Sequence, residues 1–456
     1  MGLFTDRRII TWAAKHVISA VVCCVAWFSL CVSIGAQGIH DGDHWVGTWA
    51  TVPVARCPGR SAGQAPPLHS RECEPAEGDV MPDADVPSSR APLPVLKNQT
   101  LRQIVRISLG GEQVRVVLTN AYGTVPLMIG AAHVALRAND ERVNSSSIHQ
   151  LTFSGRSAMP IPPGAVLVSD PVSLMVEDSA DLAIDVYLPG DVASTASPMT
   201  VHSGTGGLQT NFISAEGNYS GDPELPIEAT TLAWFFLTRV EVAAVEGAGA
   251  IVALGDSITD GSQSTPDTNS RWPNQLAQRL EEQGIKMGVL NAGFSGNRIL
   301  DDGSNVNALA RFDRDVLVPQ GVTHVIVMDG INDIGQAGEE SSPTADDIIA
   351  GHQQLIQRAH AHGIKVYGAT LTPFEGARYW TRQGEAKRQA LNEWIRTSGA
   401  YDAVLDFDAA VRDPNNPTKY QQRYDPGDHL HPNDAGYRAL ADSIDLDLFR
   451  LAAKVE

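Results

Sequence analysis

Two kinds of periodicity divide the chain. From Gln103 to Leu118 the stretch QIVRISLGGEQVRVVL alternates apolar and polar side chains around Gly110-Gly111, which reads as two half-buried strands joined as a hairpin. Further strand-like runs follow: AAHVALRA, the segment ending at Val166-Leu167-Val168, VSLMVE and LAIDVYLP, punctuated by Gly and Pro. Short strands with turn signals and no helical stretch predict an all-β sandwich or jelly roll over 37–247. After Gly247 the period changes. Apolar runs at 250–254, 287–291, 323–328, 365–371 and 403–407 alternate with amphipathic segments such as WPNQLAQRLEEQG, ADDIIAGHQQLIQRAHAHG and EAKRQALNEWIRTSG. Gly284, Gly363 and Gly399 stand where helix C-caps belong, and a last helix is expected from about Asn433 to Ala452. Strand–helix alternation of this kind predicts a parallel sheet covered on both faces, a three-layer α/β/α domain over 248–456.

Composition sharpens the picture at the N-terminus. Arg7, Arg8 and Lys15 precede an uncharged apolar stretch from Val17 to Ala36 that ends in small residues. This predicts a signal peptide over 1–36 and a secreted or periplasmic product, with an uncleaved membrane anchor as the alternative. Cys23, Cys24 and Cys31 would leave with the leader. Cys57 and Cys73 would remain, within a Pro-rich, aperiodic stretch at about 54–95. In an oxidising compartment they suggest one disulfide, worth about 3 kcal/mol in the chain-entropy model. Lys plus Arg number 34 against 53 Asp plus Glu, a net charge of −19. Such a surface repels phosphate backbones, so a nucleic-acid partner is not expected.

The candidate chemistry lies at the ends of the predicted parallel strands, where open sheets bind ligands. Leu254-Gly255-Asp256-Ser257-Ile258-Thr259-Asp260-Gly261 follows the first strand and exposes Ser257 on a turn. Asn291-Ala292-Gly293-Phe294-Ser295-Gly296-Asn297-Arg298 follows the second, with glycines that let backbone approach a ligand. Gly330-Ile331-Asn332-Asp333 follows the third, where Asn332 can aim its amide at an oxyanion. Asp425-Pro426-Gly427-Asp428-His429-Leu430-His431-Pro432 follows the fifth and supplies a His with a carboxylate three residues away. A nucleophile, a base, an acid to orient the base and oxyanion donors can all meet on one rim.

These four blocks, GDSITDG, NAGFSGNR, GIND and DHLHP, resemble in order the marker blocks of the GDSL (SGNH) hydrolases. The resemblance covers about 250 to 456. A softer similarity, through LRQIVRISLGG, LTNAYG and VSDPVSL, links the N-terminal half to the β domain that precedes the catalytic domain in one bacterial subgroup. The resemblance implies a serine esterase with Ser257 as nucleophile, His431 as base and Asp428 as its partner. The oxyanion would be held by the N–H groups of Ser257 and Gly296 and the amide of Asn332, with no cofactor and no metal. The expected strand order is 2-1-3-4-5, the flavodoxin-like arrangement, which sets the turns bearing Ser257 and Asn332 side by side. The expected substrate is a small-molecule or polysaccharide ester, with short acyl chains such as acetyl on a hydroxylated carrier. A lipase or lysophospholipase is the rival within enzymes, and a non-catalytic carbohydrate-binding protein the rival outside them.

Other features read more plainly. Gly59-Arg60-Ser61-Ala62-Gly63 fits a G-x-S-x-G elbow but sits in the Pro-rich stretch, without the strand and helix that motif needs. His429 and His431 with Asp428 could form part of a zinc site, but no third ligand motif accompanies them. His360 and His362 end a helix, where His complements the dipole. His202 and Trp380 line a substrate cleft or serve in packing.

Overall fold

A computed structural model describes residues 44–57, 94–192, 197–203, 208–303, 306–336 and 343–450, and His44–Glu456 form one compact unit. The expected signal peptide, the Cys57–Cys73 pairing and the G-x-S-x-G stretch lie wholly or partly outside the described residues.

The parallel sheet is built from β1 (Gly249–Gly255), β2 (Met287–Gly293), β3 (Val322–Met328), β4 (Lys365–Ala369) and β5 (Ala403–Leu405). Its order is β2-β1-β3-β4-β5, the arrangement expected. Alternation along each strand divides the side chains between two cores. Ala250, Val252 and Leu254 of β1, with Val325 and Val327 of β3, enter one apolar cluster. Ile251, Ala253, Ile326 and Met328 enter a second on the opposite face. The covering helices include α1 (Ser257–Asp260), α2 (Trp272–Glu282), α3 (Ala308–Phe312), α4 (Ile331–Gly335), α5 (Ala345–Ala361), α6 (Arg382–Thr397), α7 (Phe407–Val411) and α8 (Asp434–Asp442). Thr344 starts α5 with a reciprocal capping box to Asp347. Gly284, Gly363 and Gly399 have φ of 65°, 72° and 67°, the left-handed conformation that closes a helix. The last helix ends sooner than expected. The Ser443 hydroxyl turns back to the Leu440 carbonyl at 2.7 Å, and Asp445 caps a separate 3-10 turn at Leu446–Phe449.

The N-terminal region is antiparallel, as predicted. One sheet pairs Trp45–Ala50, Leu237–Ala243, Val114–Thr119 and Val166–Val168. A larger one contains Ile227–Thr231, Asn211–Glu216, Lys97–Arg106, Asp181–Asp191 and Ala131–Asn139. Residues of both sheets share one apolar cluster, Val114, Val116 and Val240 from the first with Leu101, Ile184 and Val134 from the second. Three local expectations fail. Lys97–Arg106 and Val114–Thr119 do not form a hairpin: the first pairs with Asp181–Asp191 and the second with Leu237–Ala243. The glycines between them serve close approach instead of a turn. A Cβ on Gly110 would lie 2.3 Å from the Val176 carbonyl oxygen, and one on Gly111 2.4 Å from that of Ala243. VSLMVE makes only isolated bridges, Val172 to Val114 and Val176 to Gly111. Within the Pro-rich stretch, Val54–Arg56 is a strand paired with Met199–His202.

The same cluster that fills the β region continues into one face of the parallel sheet. Backbone meets backbone there: a Cβ on Gly288 of β2 would stand 2.0 Å from the Gly47 carbonyl oxygen. The Ser108 hydroxyl completes the seam, accepting from the Val289 N–H at 2.7 Å and donating to the Thr48 carbonyl at 2.6 Å.

Candidate active site

Ser257 is the first residue of α1, directly after the turn that ends β1. Asp256 caps that helix by accepting from the Ile258 N–H at 2.9 Å, so the cap fixes the direction in which Ser257 leaves the strand. The Ser257 Oγ lies 2.8 Å from His431 Nε2. On the other side of the ring, His431 Nδ1 lies 2.7 Å from Asp428 Oδ2. Asp428 only accepts when ionised, so Nδ1 carries a proton and Nε2 is left to accept from the serine. Its second oxygen accepts the backbone N–H groups of Leu430 and His431, each at 3.0 Å. Partial burial pushes the Asp428 carboxyl up, but the hydrogen bond and charge of His431 and the two N–H donors outweigh it and hold it at about 2. The carboxylate is therefore ionised wherever the imidazole works.

The loop carrying His431 is pinned from several sides. Tyr420 donates to the Leu430 carbonyl at 3.1 Å, and Tyr437 to the Ser262 carbonyl at 2.6 Å. Asp434 accepts from the Thr265 N–H at 2.8 Å. His429, the other half of the H-x-H pair, is engaged elsewhere: its Nδ1 lies 2.5 Å from Asp425 Oδ2. The two imidazoles thus take separate carboxylates, and among the described residues no group of three His, Cys, Asp or Glu side chains could hold a metal ion. His360 and His362 also diverge, one to Asp402 and the other to the Arg358 carbonyl.

The second and third blocks meet beside the serine turn. Asn332 is buried, 2% exposed. Its Nδ2 donates to the Asn297 carbonyl at 2.9 Å, and its Oδ1 accepts from Gln336 Nε2 at 2.7 Å. The amide is thereby oriented with one N–H spare. Gly296, at φ 79°, sits between Ser295 and Asn297. Neither its N–H nor that of Ser257 donates a hydrogen bond among the described residues. Ser257, His431 and Asp428 are joined directly. Asn332 is joined to the Gly296 block through Asn297.

Three supporting elements escaped the sequence reading. Arg311, 1% exposed, holds Asn297 Oδ1 with Nε and Nη2 at 2.9 and 2.6 Å. It also reaches the Gly255 carbonyl at 3.0 Å and the Ala292 carbonyl at 2.9 Å, tying the ends of β1 and β2 together. Nothing in its sequence context marks it. Asp333 accepts the N–H groups of Ile299 and Leu300 at 2.9 and 3.1 Å, and burial pushes its carboxyl up to about 6. Asp256 and Asp329 follow Gly255 and Met328, which are paired across β1 and β3. Both are fully buried, and each has one carboxylate oxygen without a partner among the described residues. Burial holds Asp256 at about 7 and, with the neighbouring Asp256 charge, raises Asp329 well above the usual range. His202 is buried, its ring against Trp234 and Phe294. Trp380 packs against the larger apolar cluster.

A Ser–His–Asp line on the carboxyl rim of a parallel sheet, with spare N–H groups beside the serine, is an arrangement suited to acyl transfer. Residues 253–439 match the model of the GDSL-like Lipase/Acylhydrolase family. No curated protein matches the chain. Among solved structures it is similar to the aryl esterase of M. smegmatis, at 21% identity over 43% of this chain and 96% of that one, with a TM-score of 0.35. It is also similar to a carbohydrate acetylesterase from Sinorhizobium meliloti, at 16% over 42% and 94%, TM-score 0.33. A third is a member of the lipolytic G-D-S-L family from Veillonella parvula, at 20% over 45% and 100%, TM-score 0.33.

Proposed function

We propose that the protein is an exported serine esterase that acts through an acyl-enzyme at Ser257. The observation that carries this reading is the hydrogen-bonded line Ser257–His431–Asp428. His431 Nε2 takes the Ser257 proton as Oγ attacks the ester carbonyl, and Asp428 steadies the imidazolium that forms. The Ser257 and Gly296 N–H groups and the spare N–H of Asn332 receive the oxyanion. His431 then returns its proton to the leaving alcohol. Water, activated by the same imidazole, releases the acid. The proposed chemistry calls on these side chains, two backbone N–H groups and water, with no cofactor.

The proposed substrates are short-chain esters, acetyl above all, of carbohydrates or similar hydroxylated carriers. The support is the predicted export of the chain and its acidic surface, which disfavours polyanions. Ser257→Ala is expected to abolish hydrolysis of p-nitrophenyl acetate while leaving the fold intact, and an active Ser257→Ala would sink the mechanism. A chain-length series of p-nitrophenyl esters beside acetylated xylan and pectin tests the substrate. A rate maximum at long acyl chains, with no acetate released from either polymer, would reassign it as a lipid esterase.

A further inference from the structure

We propose that His202, contributed by the strand-rich region, is a positioning residue for the oxyanion side of the site, acting through Asp260 on Ser295 and hence on the Gly296 N–H. The inference rests on the reading of Ser257 as nucleophile given above. His202 lies on the strand Met199–His202, outside the segment 253–439 that carries the four marker blocks. Its Nδ1 is 2.9 Å from the Val52 carbonyl oxygen. That oxygen only accepts, so Nδ1 bears a proton. Its Nε2 is 3.1 Å from Asp260 Oδ1, and a second proton is shared between ring and carboxyl there.

Asp260 is the last residue of α1, the helix that Ser257 begins. Its other oxygen, Oδ2, accepts from the Ser295 N–H at 3.3 Å and the Ser295 hydroxyl at 3.1 Å. Ser295 is the residue before Gly296. One carboxylate therefore bridges the serine helix and the loop that carries the proposed oxyanion donor, and an imidazole from the other sheet system fixes that carboxylate. His202 and Asp260 are 3% and 2% exposed, so the contact is shielded from bulk water. Removing the imidazole would leave Asp260 free to rotate and would release Ser295 with it. Small displacements of an oxyanion donor from its productive geometry are expensive in rate. The Gly296 N–H matters in the transition state more than in the bound ester, so the loss should fall on kcat rather than KM.

The ring also packs on Phe294 and Trp234, at centroid distances of 5.7 Å each, and the test separates packing from hydrogen bonding. His202→Phe keeps an aromatic ring and removes both donors. His202→Gln loses the ring but keeps an amide donor for Asp260. With p-nitrophenyl acetate, His202→Phe is expected to lower kcat by about 10- to 100-fold with KM little changed. It should weaken inhibition by phenylboronic acid, whose tetrahedral serine adduct needs the same oxyanion donors, by a similar factor. His202→Gln should recover most of both. A His202→Phe enzyme with unchanged kcat and boronate inhibition would overturn the proposal, as would a His202→Gln enzyme impaired as badly as His202→Phe. If His202→Phe fails to fold, Ser295→Ala removes the shorter of the two hydrogen bonds at the far end of the same chain and leaves the strand-rich region intact. It is expected to lower kcat several-fold at constant KM, and wild-type kcat there would overturn the proposal. Ser257→Ala run alongside keeps the two readings apart: an active Ser257→Ala sinks the proposed function, whereas an inactive Ser257→Ala beside a fully active His202→Phe sinks the role of His202 alone.

Discussion

Arg311→Met offers the sharpest test of how the site is held. The substitution nearly preserves the apolar stem and deletes a guanidinium that serves four groups: Asn297 Oδ1, the carbonyls of Gly255 and Ala292, and Asp315 Oδ2. Breaking a buried ion pair by removing one partner costs roughly 3–5 kcal/mol. The lower end applies, because Asp315 keeps two hydrogen bonds from Arg314 and the Gly255 carbonyl keeps the Phe294 N–H. The Asn297 amide oxygen loses both of its donors, a loss of about 1–3 kcal/mol already contained in that figure. We expect a destabilisation of about 3 kcal/mol, read as a lower urea midpoint with an unchanged slope. Gly255 precedes the Asp256–Ser257 turn and Asn297 positions both Gly296 and Asn332, so kcat should also fall at least tenfold at a temperature where the variant is fully folded. Arg311→Lys should recover less than half of the stability, since one ammonium cannot span acceptors on two strands. A Met variant within about 1 kcal/mol of wild type, with kcat within twofold, would refute the claim that this guanidinium fastens the two strand ends.

Two further outcomes follow from the same geometry. Asn332→Asp keeps an acceptor for Gln336 and Tyr379 but removes the amide donor and sets a buried carboxyl against the Asn297 carbonyl, so the melting temperature should drop and kcat should fall by about 10²–10³ where the variant is still folded; a loss of kcat under threefold there would exclude Asn332 as an oxyanion donor. The carboxyls of Asp333 and Asp256, held at about 6 and about 7, and of Asp329, raised well above the usual carboxylate range, bind protons more tightly folded than unfolded. Their contribution is full below the unfolded carboxylate range and is lost as pH rises through those values, on the order of 3 kcal/mol for Asp333. Denaturant midpoints should therefore be higher near pH 5 than at pH 8, and Asp329→Asn, which sets an amide donor beside Asp256, should flatten the difference. An unchanged slope in that variant would show that the buried carboxyls do not govern it.

Some of this was legible in the sequence and some was not, and the division has a physical basis. The five parallel strands announced themselves because strands buried on both faces are short continuous apolar runs between helices of period 3.6. Ser257 stands just past the end of β1, so strand assignment nearly located it, whereas Asp428 and His431 lie far beyond β5 and were legible only as a carboxylate and an imidazole three residues apart. The β region was harder. Gly110-Gly111 sits between two alternating strands as a hairpin turn would, yet the strands belong to different sheets. Alternation reports that one face is buried, not which partner covers it. Arg311 was illegible for a related reason: a lone Arg in a short helix looks solvent-facing until the fold closes over it and supplies acceptors from two strands.

The long-range contacts also change what the strand-rich region means. A sequence reading treats it as an accessory module, since its motifs end before the first marker block begins. In the fold, the apolar cluster runs without a break from its sheets into one face of the parallel sheet, and Gly288 and Gly47 touch backbone to backbone across the seam. Core of this kind resists independent motion of two modules, because separating them would expose apolar area that each needs buried. Polar contacts cross the same seam at several places: Ser108 to the backbone of β2, the Gly47 N–H to the Gln320 carbonyl, Lys286 to Asp178, Gln209 and Thr210 to Asp267, and His202 to the carboxylate that ends the serine helix. A binding module tethered for avidity would need none of them. A part that completes the support of the site would need the last, and removing it should cost turnover on the smallest soluble ester as heavily as on an acetylated polymer.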